Sequence, residues 1–110
     1  MTLNAFTTIT DAAGKITADV LLADAGGAMT LDTTVSSVNA STSAVGSMVI
    51  TETDAIILTD VDTFNGSITV TAGGAVTVIS ARTTDGAINL STTGGDLTLT
   101  TVTRVAQVGT

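Results

Sequence analysis

Apolar and polar residues alternate along this chain in short bursts. MTL (29–31), MVI (48–50), ITV (68–70), VTV (76–78), INL (88–90) and LTL (97–99) each set two apolar residues around one other, mostly polar, residue. That period of two belongs to strands with one face turned inward and one outward. Gly, Asp or Asn falls between the bursts, where a chain turns. No long segment places apolar residues at i, i+3 and i+4, and the abundant Thr, Val and Ile lose side-chain freedom in a helix. The pattern predicts an all-β chain.

The spacing of the bursts carries more information than the bursts themselves. Gly46, Gly66 and Gly86 stand twenty residues apart and open GSMVI, GSITV and GAINL. In rows of that length apolar residues fall into columns: Met48, Ile68 and Ile88; Ile50, Val70 and Leu90; Ile56 and Val76, joined by Leu97 after a one-residue insertion; Leu58, Val78 and Leu99; Val61, Ala81 and Val102. Asn65-Gly66 and Asp85-Gly86 repeat the same turn chemistry at the same phase. A nineteen-residue row from Gly27 enters the first columns through Met29 and Leu31 and then degrades, and residues 1–26 fit only through GKITA at Gly14.

In-phase columns at a fixed period of about twenty are the mark of a solenoid. If each row is one coil, equivalent positions stack at about 4.8 Å, the spacing of paired strands. The expected fold is a parallel β-helix of about 20 residues per coil with three short strands in each. Residues 1–110 form one segment, with clear repeats over 46–105 and degenerate coils over 1–45. Branched side chains fill the interior. Thr69, Thr77, Asn89 and Thr98 face out. Pro, of which there is none, would remove N–H groups that neighbouring coils need. The competing architecture is an antiparallel β-sandwich of immunoglobulin type. It too has short alternating strands, but it gives no reason for columns locked at twenty and usually holds a core aromatic such as Trp.

Composition narrows the chemistry. The absence of Cys and His removes zinc sites, thiol nucleophiles, imidazole bases and disulfides. Three basic residues and two aromatics argue against nucleic-acid binding, which uses cationic footprints and stacking platforms. The net charge is −7, and all of it lies in residues 1–65, which hold eight acidic groups and one Lys. The neutral half is therefore the half with the clean repeat, and any specific function is expected in the acidic half. No apolar run approaches the roughly 18 residues of a membrane helix, so no membrane insertion is expected. The N-terminus shows no basic region followed by an apolar stretch, so no signal peptide is read there.

Residues 66–103, GSITVTAGGAVTVISARTTDGAINLSTTGGDLTLTTVT, resemble the repeat regions of filamentous-haemagglutinin-like exoproteins and related giant bacterial surface proteins. The matching positions are Gly66, Ile68, Val70, Gly73, Gly74, Val76 and Val78, then Gly86, Ile88, Leu90, Gly94, Gly95, Leu97 and Leu99. The resemblance implies a right-handed parallel β-helix, secretion to the bacterial surface, and a part in adhesion or in an extended stalk. The family's amino-terminal secretion domain has no counterpart in these residues.

Candidate reactive groups are few. Glu52, Asp54, Asp60 and Asp62 share one row, and Asp60 and Asp62 would lie on one strand face about 7 Å apart, within the range of a hydrolytic pair. No aromatic or basic substrate clamp accompanies them, which leaves a solvated acidic turn as the simpler reading. The same four could offer oxygen ligands to a weakly held calcium ion, yet neither GGAVTVIS nor GGDLTLT fits the calcium-binding nonapeptide repeat. The Gly-Gly pairs at 26–27, 73–74 and 94–95 do not continue into a phosphate-cradling loop; they read as tight corners. Ser80 and Ser91 have no His partner and no nucleophile elbow. Arg82 and Arg104 read as solvated or paired with a nearby Asp. The mixed Thr exterior, interrupted by Val49, Ile57 and Asn89, is a surface for glycans or ordered water at most. The expectation is thus a non-catalytic, cofactor-free segment of an extracellular β-solenoid, adhesive or fibre-forming. Its partners would be neighbouring coils of a longer parent, further copies of itself, or host and cell-surface glycans.

Overall fold

The computed structural model describes residues 2–5, 7–10, 15–84 and 86–105, with the backbone only for 104 and 105. The strands are β1 (Thr2–Ala5), β2 (Ile9–Thr10), β3 (Ile16–Ala25), β4 (Met29–Val45), β5 (Met48–Glu52), β6 (Ile56–Asn65), β7 (Ile68–Ala72), β8 (Val76–Val78), β9 (Ala81–Thr84), β10 (Ile88–Thr92), β11 (Leu97–Leu99) and β12 (Val102–Val105). Every pairing among them is parallel. Parallel partners one coil apart define a β-solenoid of about five turns and rule out the antiparallel sandwich. The described residues contain no helix.

The register reproduces the columns. Met48 pairs with Ile68 and Ile68 with Ile88; Ile50 with Val70 and Val70 with Leu90. Ile56 and Leu58 pair with Val76 and Val78, and Val61 with Ala81. The one-residue insertion is real: Val76 meets Leu97 and Ala81 meets Val102. Three ladders result, one through β2, the start of β4, β5, β7 and β10, one through the middle of β3 and β4, the start of β6, β8 and β11, and one through β1, the ends of β3, β4 and β6, β9 and β12. Their inward residues form one core from Leu21 to Ala81. Full burial of each Val, Leu, Ile or Met in it contributes roughly 1.5–3 kcal/mol.

The degenerate coils expected over 1–45 still stack in register over their described residues, and one expectation, three strands in each coil, needs correction. Leu21, Val38, Leu58 and Val78 form a continuous inward ladder, as do Ala23, Ala40, Val61 and Ala81. What varies is coil length: Val20 pairs with Ser37 and Met29 with Met48, seventeen and nineteen residues on, so a fixed row of twenty loses phase. Three strands per coil holds only where glycines break the chain. The pairs at 73–74 and 94–95 separate β7 from β8 and β10 from β11, whereas β4 runs through all three ladders without a glycine. Gly14 of the GKITA match, Asp85 of the second turn dipeptide and residues 106–110 lie outside the described residues.

A column of inward threonines closes one corner of the coil. Thr63 Oγ1 donates to the Gly66 carbonyl at 2.7 Å and Thr83 Oγ1 to the Gly86 carbonyl at 2.8 Å. Thr42 stacks beneath Thr63, but the register shifts between Thr42 and Val45 and moves the next glycine out of phase. The Thr42 hydroxyl is buried without a hydrogen-bond partner. A buried unsatisfied hydroxyl is costly, while a satisfied one is stabilising. Thr42→Val is therefore expected to stabilise the chain by about 1 kcal/mol and Thr63→Val to destabilise it by about 1–2 kcal/mol, as read by urea denaturation of the two variants.

Candidate functional site

The corner between β5 and β6 holds the most unusual group in the molecule. Period-two alternation turns Met48, Ile50 and then Glu52 inward, and Glu52 is only 3% exposed. It occupies the column of Thr33 and Ala72. Its carboxylate accepts a hydrogen bond from Thr33 Oγ1 at 2.5 Å and from the Val35 N–H at 3.0 and 3.2 Å to its two oxygens. Burial pushes the Glu52 pKa up from 4.5 to about 7; the Asp54 carboxyl adds to the rise, while the Thr33 hydroxyl and the Val35 and Asp54 N–H groups oppose it.

The local sequence explains the arrangement. β4 turns this corner as extended chain through Thr34, Val35 and Ser36, whereas the coil above turns it with the bend Thr53-Asp54-Ala55. Pairing between β4 and β5 ends at Thr33–Glu52 and pairing between β4 and β6 begins at Ser37–Ile57. Val35 pairs with Ala18 on one side and meets no strand on the other. The Glu52 carboxylate supplies the acceptor that a neighbouring coil would otherwise provide. Between these departures lies an open depression of about 340 Å³ lined by Ala18, Thr34, Val35, Ser36, Asp54 and Ala55.

The four acidic candidates thus divide. Glu52 and Asp54 come together; Asp60 and Asp62 sit on another ladder, beside Asn39 and Ser41. The solvated-turn reading fails for Glu52, because strand parity takes it into the interior. It holds for Asp54, which is exposed at the 53–55 bend; Asp60 is exposed too but stands within β6. Asp54 lines the depression and Glu52 does not, so the pair does not present two carboxyls to one substrate. Among the described residues, no group of three or more acidic side chains is placed to hold a metal ion.

The remaining candidates are spread over other coils and corners. Ser91 Oγ donates to Thr71 Oγ1 at 3.4 Å, Thr34 Oγ1 to Thr53 Oγ1 at 3.0 Å, and Ser41 Oγ to Asp24 Oδ1 at 3.2 Å. Ser80 offers its carbonyl to the Val61 N–H at 3.0 Å. Arg82 lies one rung above Asp62; Arg104 pairs through its backbone with Thr83. Lys15 meets Asp32 at 2.8 Å. Val49 and Ile57 are exposed within the hydroxyl columns. The glycine pairs at 26–27, 73–74 and 94–95 all stand at bends.

These features define a β-solenoid repeat protein whose one buried ionisable group, among the described residues, serves a coil corner. Comparison with protein-family models, with curated proteins and with solved structures returns no match. Among the described residues no helix is long and apolar enough to cross a membrane.

Proposed function

We propose that this chain is a structural, adhesive or fibre-forming segment of an extracellular β-solenoid at a bacterial surface, and that its end coils stack on further coils of the same kind, from a longer parent or from another copy. One observation carries the reading. Leu97, Leu99 and Val102 are 39%, 52% and 38% exposed, while Val76, Val78 and Ala81 directly beneath them are fully buried. The last described coil thus offers apolar ladder positions and, among the described residues, one-sided strand edges, the template on which another parallel coil adds. Because all strands run the same way, such a contact joins unlike ends and does not close on itself. The row-by-row resemblance to filamentous-haemagglutinin-like exoproteins supports the surface location and the stalk role.

Electron microscopy and light scattering across a concentration series test the stacking. The expected result is end-to-end growth with concentration, lost in Leu97→Lys/Leu99→Lys with little change in melting temperature. Monomers at every concentration would remove self-stacking and leave only the stalk of a longer chain.

A glycan-binding reading is favoured by a second depression, of about 230 Å³, in which Asn4, Asp24, Asn39 and Ser41 stand beside the exposed Leu22. Amides, a carboxylate and a hydroxyl next to an apolar surface suit sugar hydroxyls and a sugar's C–H face. Saturation-transfer NMR with simple saccharides checks it, with Asn39→Ala expected to remove any transfer.

A further inference from the structure

We infer that the depression beside Leu22 is one half of a longer trough that binds a short amino-sugar oligosaccharide, with Asp24 holding the sugar ammonium. The inference rests on the glycan-binding reading above and names its ligand class. A further depression, of about 380 Å³, is lined by Asn4, Asp24, Gly26 and Ser43 among others. It shares Asn4 and Asp24 with the depression of about 230 Å³ that holds Asn39 and Ser41. The two therefore adjoin along β1 and the ends of β3 and β4. Together they reach the size of ordinary ligand sites, roughly 300–1,000 Å³.

The register fixes what stands where. Leu22 lies between Thr2 and Asn39 on neighbouring rungs, and Asp24 between Asn4 and Ser41. Leu22 and Asp24 are two residues apart on β3, so they share its outward face about 7 Å apart. Leu22 is 46% exposed, an aliphatic platform for the C–H face of a pyranose ring. Asn4 and Asn39 are exposed, and their amides can both donate to and accept from sugar hydroxyls. No aromatic side chain lines either depression, so the affinity is expected to be weak, on the order of millimolar.

Charge selects the ligand class. Asp24 is the only charged side chain lining either depression. Ser41 Oγ donates to its Oδ1 at 3.2 Å, and among the described residues no cation pairs with it. Lys15 is held by Asp32 at 2.8 Å. Along the column Asp24, Ser41, Asp62, Arg82 the first cation stands three rungs away, about 14 Å, with Asp62 in between. Asp60 adds a further negative charge one rung beyond Asn39. The trough therefore attracts an ammonium and repels the carboxylates and sulfates of acidic sugars. A protonated amine beside ring hydroxyls and an apolar ring face is the chemistry of an amino sugar such as glucosamine.

Amide NMR of the full, uniformly labelled chain tests this with three probes: a glucosamine disaccharide, its N-acetylated counterpart and a uronic-acid disaccharide. The expected result is a saturable shift of the Asn4, Asp24, Asn39 and Ser41 amides with the glucosamine probe. Binding of the N-acetyl sugar should be several-fold weaker, and the uronate should not bind. Added salt should narrow the preference. Asp24→Asn, at an exposed position, should make the glucosamine and N-acetyl sugars bind alike, whereas Asp96→Asn, on a distant coil, should leave the preference in place. Equal binding of those two sugars by the unaltered chain would overturn the ligand class and leave the glycan reading standing. So would a preference that survives Asp24→Asn. No shift with any sugar would remove both. Shifts spread equally over Asp54, Asp60 and Asp62 would also overturn the proposal, since the amine would then follow net charge rather than the trough.

Discussion

Replacing Val70 with Asp is expected to unfold most of the solenoid at neutral pH. Val70 is fully buried between Ile50 and Leu90 on the ladder through β5, β7 and β10. All three residues are apolar, and the strand that carries Val70 is paired on both sides. An aspartate there finds no partner and must either ionise in a low-dielectric interior or take up a proton. The expected loss exceeds about 4 kcal/mol, a large share of the 5–15 kcal/mol that usually holds a domain together. Because each coil is supported by its neighbours, the damage should spread along the stack rather than stay local. Circular dichroism on heating should show a collapsed or absent transition. Val70→Ile, a small apolar change, should cost far less. Wild-type-like melting of the Asp variant would mean that position 70 does not face inward.

The second large effect is expected from Gly66→Ala. Gly46, Gly66 and Gly86 stack at one corner so closely that a Cβ on Gly66 would overlap the Gly46 carbonyl oxygen, and one on Gly86 the Gly66 carbonyl oxygen. Gly66 also has φ = +156°, a region that L side chains rarely adopt. The obstruction is backbone, which cannot rotate away. Overpacking and strain together are expected to cost about 3 kcal/mol or more, a fall in melting temperature on the order of 10–20 °C for a chain of this size. Gly27→Ala is the internal comparison. Its added Cβ would meet the Thr7 carbonyl at 3.2 Å and Thr8 Cγ2 at 3.5 Å, so a small adjustment suffices and stability should hold within about 1 kcal/mol. Equal losses at the two sites would mean that the glycines are not stacked corner on corner.

The fold was legible wherever coil length is constant. From Met48 onward the apolar columns of the sequence are the register of the pairing, including the insertion that carries Leu97 over Val76. The first half was harder for a physical reason. A solenoid tolerates coils of different lengths because excess chain is absorbed at corners, so apolar positions keep stacking in space while losing phase in sequence. Leu21 and Val38 belong to the same ladder as Leu58, yet no fixed period joins them. The extended run of β4 was hidden likewise, since Thr, Ser and Val suit strand and corner alike.

The candidate site was half legible. Charge pointed to Glu52 as a solvated residue, whereas parity with Met48 and Ile50, in the same five residues, pointed inward. Parity prevailed because Val35 and Thr33 offer the carboxyl hydrogen bonds where the adjacent coil offers Val35 none. That need arises from the mismatch between two corners and is visible only once the coils are stacked. Asp60 and Asp62 share a strand with each other, as their spacing requires, but turn onto a different ladder from Glu52.

The most direct measurement is a set of interstrand NOEs between backbone protons in uniformly labelled protein. The coil arrangement predicts a chain of contacts linking Met48 to Ile68 and Ile68 to Ile88, stepping to Val76–Leu97 at the insertion and shortening to Leu21–Val38 between β3 and β4, all with parallel geometry. Contacts in which one residue number rises as the other falls, the pattern of antiparallel hairpins, would contradict the solenoid and everything built on it.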